Sequence, residues 1–307
     1  MHRRIARTLA GLAVAATALT ACAGEDGAGR DSAEGGGDGG GGGGETITLG
    51  FIPSWTDGLS TAYLLEDRLE AMGYTVEMEE LTEPAPLYAG LANGDVHIYP
   101  SAWPEVTHAS YMEEYGDKIE DLGAYYDNAK LTMAVPEYTD ISSIEELPDN
   151  VDTFGGEIIG IEPGAGLTEA VQEGVMPEYG LEGDYTLKTS STTAMLAELK
   201  KATEAQEDIV VTLWRPFWAN SAFPVKDLED PKGALGEAEG LHFLATDGFS
   251  DDFPDAAEYI SGIKLDDTQY GELEDMVVNE YGEGKEAEAV DAWIEANPDV
   301  LPEVEKQ

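Results

Sequence analysis

One strand–helix–strand grammar is written twice along this chain, and it constrains the fold more than any other feature. In the first block, "TITLGFIPSW" reads as a strand, with Ile47, Leu49 and Phe51 alternating and Pro53 closing it. Ala62, Leu65, Leu69 and Met72 then recur at helical spacing up to Gly73, a residue suited to the left-handed stop of a helix. "YTVEMEEL" follows as a strand, "LYAGLANGD" as a short helix and turn, and "VHIYP" as another strand. The second block runs through "GEIIGIEPGAG" (strand and glycine turn), "LTEAVQEGVMPEYG" (helix) and "YTLKTS" (strand). It continues with "STTAMLAELKKATEA", a helix with Ser/Thr at its cap and Met195, Leu199 and Ala202 on one face, and ends on the strand "DIVVTLW". Such alternation predicts parallel α/β sheets. Two blocks joined through "KLTMAVPEY" predict two lobes with a ligand cleft between them: residues 46–128 with 250–307 as lobe 1, and 129–249 as lobe 2. The tail reads as helices packing back on the first lobe.

The segment before the folded body has a different chemistry. "MHRRIARTLAG" is basic, "LAGLAVAATAL" is apolar but too short to span a bilayer, and "LTAC" follows. The single cysteine of the chain falls at that cleavage point. Residues 1–21 are therefore expected to be a lipoprotein signal peptide, with Cys22 carrying lipid; the alternative is an ordinary secretory signal with a coincidental cysteine. Residues 22–45, ending in "EGGGDGGGGGGE", cannot build a core and read as a flexible tether. The expected organisation is anchor, tether and folded body, held at the outer face of the cytoplasmic membrane.

Charge narrows the partners. Asp and Glu number 63 against 16 Lys and Arg, a net charge of −47; losing Arg3, Arg4 and Arg7 with a leader leaves 13 basic residues and a charge near −50. Such a surface repels nucleic acid and anionic lipid. The acids are spread along the whole chain, a pattern that suits solubility at high salt rather than an acidic binding patch.

Four of the five tryptophans follow strands: Trp55 after "ITLGFIPS", Trp103 after "VHIYPSA", and Trp214 and Trp218 after "IVVTL". Pro216 ends the last of these ladders. Trp293 sits with Val290 and Ile294 in a late helical pattern and reads as core. Taken singly, each of the four reads as a core or lobe-packing residue. Ligands of open α/β sheets, however, lie beyond the carboxyl ends of the strands, so Trp55, Trp103 and Trp214 are candidate walls of a binding site. An aromatic box suits a quaternary ammonium group, which has no N–H to hydrogen-bond and spreads its charge over methyls. Three ring contacts at ~1–2 kcal/mol each supply about half of the ~8 kcal/mol that micromolar affinity requires, so a second anchor is needed. Candidates are the backbone at Gly164 and Gly166 in "IEPGAGLTEA" and His108, either of which could hold a carboxylate, and Asp57, which could accept from a hydroxyl or face the cation. Asp57 would repel a carboxylate, so it and His108 point at different ligands. A plain βα turn and a surface histidine are the ordinary alternatives.

Motifs of enzymes are absent. The sequence has no G-x-S-x-G elbow, no H-E-x-x-H pair among its four histidines, no zinc-ligand spacing and no phosphate loop. No catalytic residue, metal or cofactor is expected, which leaves a secreted hydrolase, or a structural protein, as the weaker alternative.

At the residues quoted, the chain resembles the substrate-binding proteins of glycine betaine, choline and proline betaine ABC transporters. The likeness runs through "LGFIPSW", "LYAGLANGDVHIYPSAWPEVTH", "AKLTMAVP", "GGEIIGIEPGAGL", "STTAMLAELKKA", "VVTLWRPFW" and "AVDAWIEANPDV". The resemblance implies a two-lobed α/β fold of the periplasmic-binding-protein type that closes on its ligand, with Trp103 and Trp214 at cage positions. "WTD" looks like the first cage tryptophan and the ligand-contacting aspartate of the choline-binding branch. Phe217 stands where some members have histidine, and Ala165 where others have a tryptophan. A monomer that delivers glycine betaine, or alternatively choline or carnitine, to membrane permease subunits is the implied function.

Overall fold

A computed structural model gives the fold for residues 44–304. The expected signal peptide, Cys22 and nearly all of the tether lie outside the described residues. Nine strands follow in chain order: β1 (Thr46–Phe51), β2 (Thr75–Glu80), β3 (Ile98–Ala102), β4 (Ile119–Pro136), β5 (Glu157–Ile159), β6 (Thr186–Lys188), β7 (Val211–Arg215), β8 (Val225–Asp227) and β9 (Glu239–Thr246). Their order is β2-β1-β3-β9-β4-β7-β5-β6, with β8 also on β4.

The two-lobed α/β architecture follows from one long strand. β4 has 18 residues, roughly 60 Å of chain at the usual rise, more than one sheet can use. Its first part, Ile119–Ala129, pairs antiparallel with β9, which also pairs with β3; β1 lies parallel to both β2 and β3. Its second part, Lys130–Ala134, pairs antiparallel with β7, while Ala134–Pro136 takes β8, and β5 lies parallel to β6 and β7. The two sheets thus share β4 alone, and "KLTMAVP" is not a linker but that shared strand.

β1 is buried along five of its six residues, the pattern of a strand covered on both faces. The Thr56–Met72 helix covers it with Ala62, Leu65 and Leu69 and stops at Gly73, φ 101°, in the left-handed conformation that glycine adopts without cost. The helices of the tail pack on that same helix, and Trp293 is fully buried among them. One boundary differs from the sequence reading: an edge at 249 would assign β9 to the second lobe, whereas β9 pairs with β3 and the first part of β4. β9 is a mostly apolar strand with six of its eight residues buried, and composition cannot say which sheet such a strand will join. Among the described residues no helix is long and apolar enough to cross a membrane.

Candidate functional site

Loops from both sheets meet around one cavity, with about 340 Å³ of empty space counting its open mouth, lined by Trp55, Asp57, Trp103, Thr107, His108, Leu131, Ile161, Ala165, Gly166, Leu167 and Trp214. Six of the seven ligand-contact candidates from the sequence lie there; Gly164 does not. Its N–H donates to a Glu83 carboxylate oxygen (3.2 Å) and its carbonyl accepts from the Tyr111 hydroxyl (2.8 Å), so it joins the two sheets' loops outside the cavity.

Asp57 sits in the first turn of the helix that follows β1, almost wholly buried. Its Oδ2 accepts from Ser101 Oγ (2.7 Å) and from the Trp103 indole Nε1–H (3.1 Å), and Ser101 Oγ is also 2.8 Å from the Tyr125 hydroxyl. Burial raises the Asp57 pKa, and the hydrogen bonds only partly offset it. The carboxylate therefore ties the loop after β1 to the end of β3 and sets the plane of the Trp103 ring.

His108 is fully enclosed. Its Nδ1 faces the backbone N–H of Trp103 (3.2 Å), which can only donate, and the Tyr88 hydroxyl (3.0 Å). Nδ1 is thus the acceptor and the ring proton resides on Nε2. Among the described residues nothing engages Nε2. Burial pushes the His108 pKa down to about 3, so the ring is neutral at physiological pH. The expectation of a surface histidine as the alternative is removed by this burial.

Trp214, one residue before the end of β7, lies opposite Leu131 of β4, and Phe217 stacks on it at 4.0 Å between ring centroids and 19° between planes. From the second sheet's side, Ala165, Gly166 and Leu167 open a helix. The Ala165 N–H donates to the Glu162 carbonyl and the Glu169 N–H returns to the Ala165 carbonyl. Between them, the N–H groups of Gly166, Leu167 and Thr168 have no partner among the described residues. Trp218 and Tyr126 line a separate cleft, and Tyr125 stands behind Asp57.

Leu131, Ile161 and Leu167 were not singled out from the sequence, because an apolar residue at a strand or helix end carries no mark separating a ligand wall from core. Glu274 was also missed. It accepts from Thr56 Oγ1 and the Trp218 backbone N–H, and burial, then the charge of Asp57, pushes its pKa up to about 8. An acid whose folded pKa exceeds its unfolded value stabilises the fold fully below the unfolded pKa of ~4.3 and loses that contribution as pH rises through the folded pKa. The melting temperature should fall between about pH 4 and pH 8 and level off above that, and Glu274→Gln should remove several degrees of that fall. Parallel melting curves for the two proteins would remove Glu274 as the cause; a residual slope is expected from Asp57, which is shifted in the same direction.

Residues 45–296 match the family described as the substrate binding domain of ABC-type glycine betaine transport systems. The chain is 38% identical over 146 residues to the glycine betaine/carnitine transport binding protein GbuC of Listeria monocytogenes, a match covering 46% of each chain, so it spans about half the length of that relative. Its structure is similar to that of the glycine/betaine/L-proline-binding protein ProX of Borrelia burgdorferi, with a TM-score of 0.78 and 31% identity over 84% of this chain and 97% of that one. Lactococcal OpuAC, in its closed conformation complexed with glycine betaine, gives a TM-score of 0.76 and 27% identity over 83% and 96%. With the family matched along most of its length, this chain belongs to the substrate-binding domains of ABC-type glycine betaine transport systems.

Proposed function

We propose that this protein captures a quaternary ammonium solute, glycine betaine first, between Trp55, Trp103 and Trp214, and delivers it as a monomer to permease subunits powered by a separate ATPase. Lipid on Cys22 holds it at the outer face of the membrane. The observation carrying this reading is that tryptophans from three strand ends, drawn from both sheets, line one cavity. Ring faces attract a delocalised cation, and exclusion of water strengthens that attraction.

The second anchor favours a carboxylate. His108 Nε2–H is a neutral donor in the cavity wall, and the N–H groups of Gly166 and Leu167 open a helix in the facing wall. Asp57 also lines the cavity, and it is the one observation that favours choline, whose hydroxyl it would accept. Its Oδ2, however, already takes two donors.

Calorimetric titration with glycine betaine, choline and carnitine, each alone, tests the reading. Glycine betaine should bind with about micromolar affinity or better, and choline at least about tenfold more weakly. With His108 neutral down to a pKa of about 3, its imidazole should add no pH dependence to betaine affinity between about pH 5 and pH 7. Tighter choline binding would transfer the second anchor to Asp57; no binding of any of the three would end the cage assignment.

A further inference from the structure

The cage tryptophan Trp55 is held by a residue that belongs to the other side of the cleft. Glu162 follows β5 in the second sheet and is 3% exposed. Four of its bonds stay within that half, the Ala165 N–H to its carbonyl among them. Oε1 accepts from the Thr192 N–H (2.9 Å), Oε2 accepts from Thr192 Oγ1–H (2.8 Å), and the backbone carbonyl accepts from Thr168 Oγ1–H (2.8 Å). Thr192 opens the Thr192–Ala205 helix, so the carboxylate also lies where that helix carries its positive end. Two bonds cross to the half built on β1: Oε2 accepts from the Trp55 indole Nε1–H (3.0 Å) and Oε1 from Ser54 Oγ–H (3.1 Å). No other acceptor engages the Trp55 indole N–H among the described residues.

We propose that Glu162 is a clasp: a positioning residue that stays with the second lobe when the lobes part, and that fixes the Trp55 ring against the ligand when they meet. The proposal rests on the cage reading above and assigns to closure a task beyond excluding water. Before closure, Trp55 lacks its one hydrogen-bond acceptor and its ring is free to turn about its side-chain bonds. After closure, the carboxylate accepts four donors at once, two from each lobe. The clasp therefore retains a bound ligand and contributes little to its capture, so its loss is read in the off-rate. Glutamine cannot replace it, because an amide offers one acceptor oxygen and turns its own N–H groups toward the remaining donors.

The test combines binding kinetics with the tryptophan indole resonances of ¹⁵N-labelled protein, five in number, with Trp55 assigned through Trp55→Phe. In protein saturated with glycine betaine, the Trp55 indole proton should be protected from exchange. In Glu162→Gln it should shift and lose that protection, while Kd rises about tenfold, carried by the off-rate. An unmoved Trp55 resonance in Glu162→Gln overturns the clasp whatever the affinity. If the wild-type protein binds neither glycine betaine nor choline, the functional reading fails; the clasp then predicts a freely exchanging Trp55 indole proton in both ligand-free proteins, and protection of that proton in the ligand-free wild type would overturn it. If Glu162→Gln does not fold, the wild-type resonance decides: a Trp55 indole proton that exchanges as fast in the saturated protein as in free solution overturns the clasp.

Discussion

Trp103→Ala should weaken glycine betaine binding about a hundredfold, measured by calorimetry against the wild-type protein. A desolvated cation–π interaction is worth ~2 kcal/mol, and the apolar surface that leaves with the ring adds ~1 kcal/mol, so the sum of ~3 kcal/mol is about two decades of affinity. Trp103 also has a second task that is independent of ligand. Its Nε1–H is one of two side-chain donors to Oδ2 of a buried carboxylate, Asp57. Removing it leaves that oxygen one donor short, at a cost of ~1–3 kcal/mol in stability.

Trp103→Phe separates the two tasks. It retains a ring face and should keep most of the affinity, yet lower the melting temperature through the lost indole N–H, by less than alanine does because less apolar surface is removed. Trp214 offers an internal contrast, because Phe217 stacks directly behind it and Leu131 stands opposite, so Trp214→Ala leaves an aromatic surface close to the vacated place. Its loss should be nearer tenfold. Wild-type affinity in both alanine variants would place the cation elsewhere in the molecule.

Strand-end tryptophans were legible because sequence periodicity locates strand ends, and α/β sheets bring their carboxyl ends to the ligand. The helix over Thr56–Met72 and its glycine stop were legible for the same local reason. What escaped was written in approaches between distant segments. β9 shows only that it is a largely buried strand, and its sheet is chosen by pairing with β3 and β4. Glu162 is one of 63 acidic residues, and nothing local marks it as the one that reaches Trp55, 107 positions away in sequence. Gly164 and Gly166 look equivalent in "PGAG", yet only Gly166 lines the cavity, since Glu83 and Tyr111 hold Gly164 outside it.

Gly166 also carries the second large effect, for a reason that a turn motif cannot disclose. Its φ is not left-handed, so backbone conformation does not demand glycine here. A methyl group at this position would lie 1.8 Å from the Thr107 carbonyl oxygen and 2.7 Å from the carbonyl carbon, far inside van der Waals distance. Thr107 belongs to the loop after β3, on the opposite side of the cleft, and it cannot yield. Glu239 accepts from the backbone N–H groups of Glu105 (3.1 Å), Val106 (2.9 Å) and Thr107 (2.9 Å), which fixes that loop as a unit. Gly166→Ala must therefore hold the two sides apart without disturbing the packing inside either. Glycine betaine affinity should fall by at least about a hundredfold, because parted walls forfeit the short-range cation–π interactions and hydrogen bonds together. The ligand-free protein should melt within about 2 °C of wild type, because alanine at a helix start, free of that clash, is no less favourable than glycine. Small-angle scattering would read the same event directly: addition of glycine betaine should contract the wild-type protein and leave Gly166→Ala unchanged. Tight binding by the alanine variant would mean that the loops around Thr107 and Gly166 need not meet for capture, and the closed cage would then not be the state that holds the ligand.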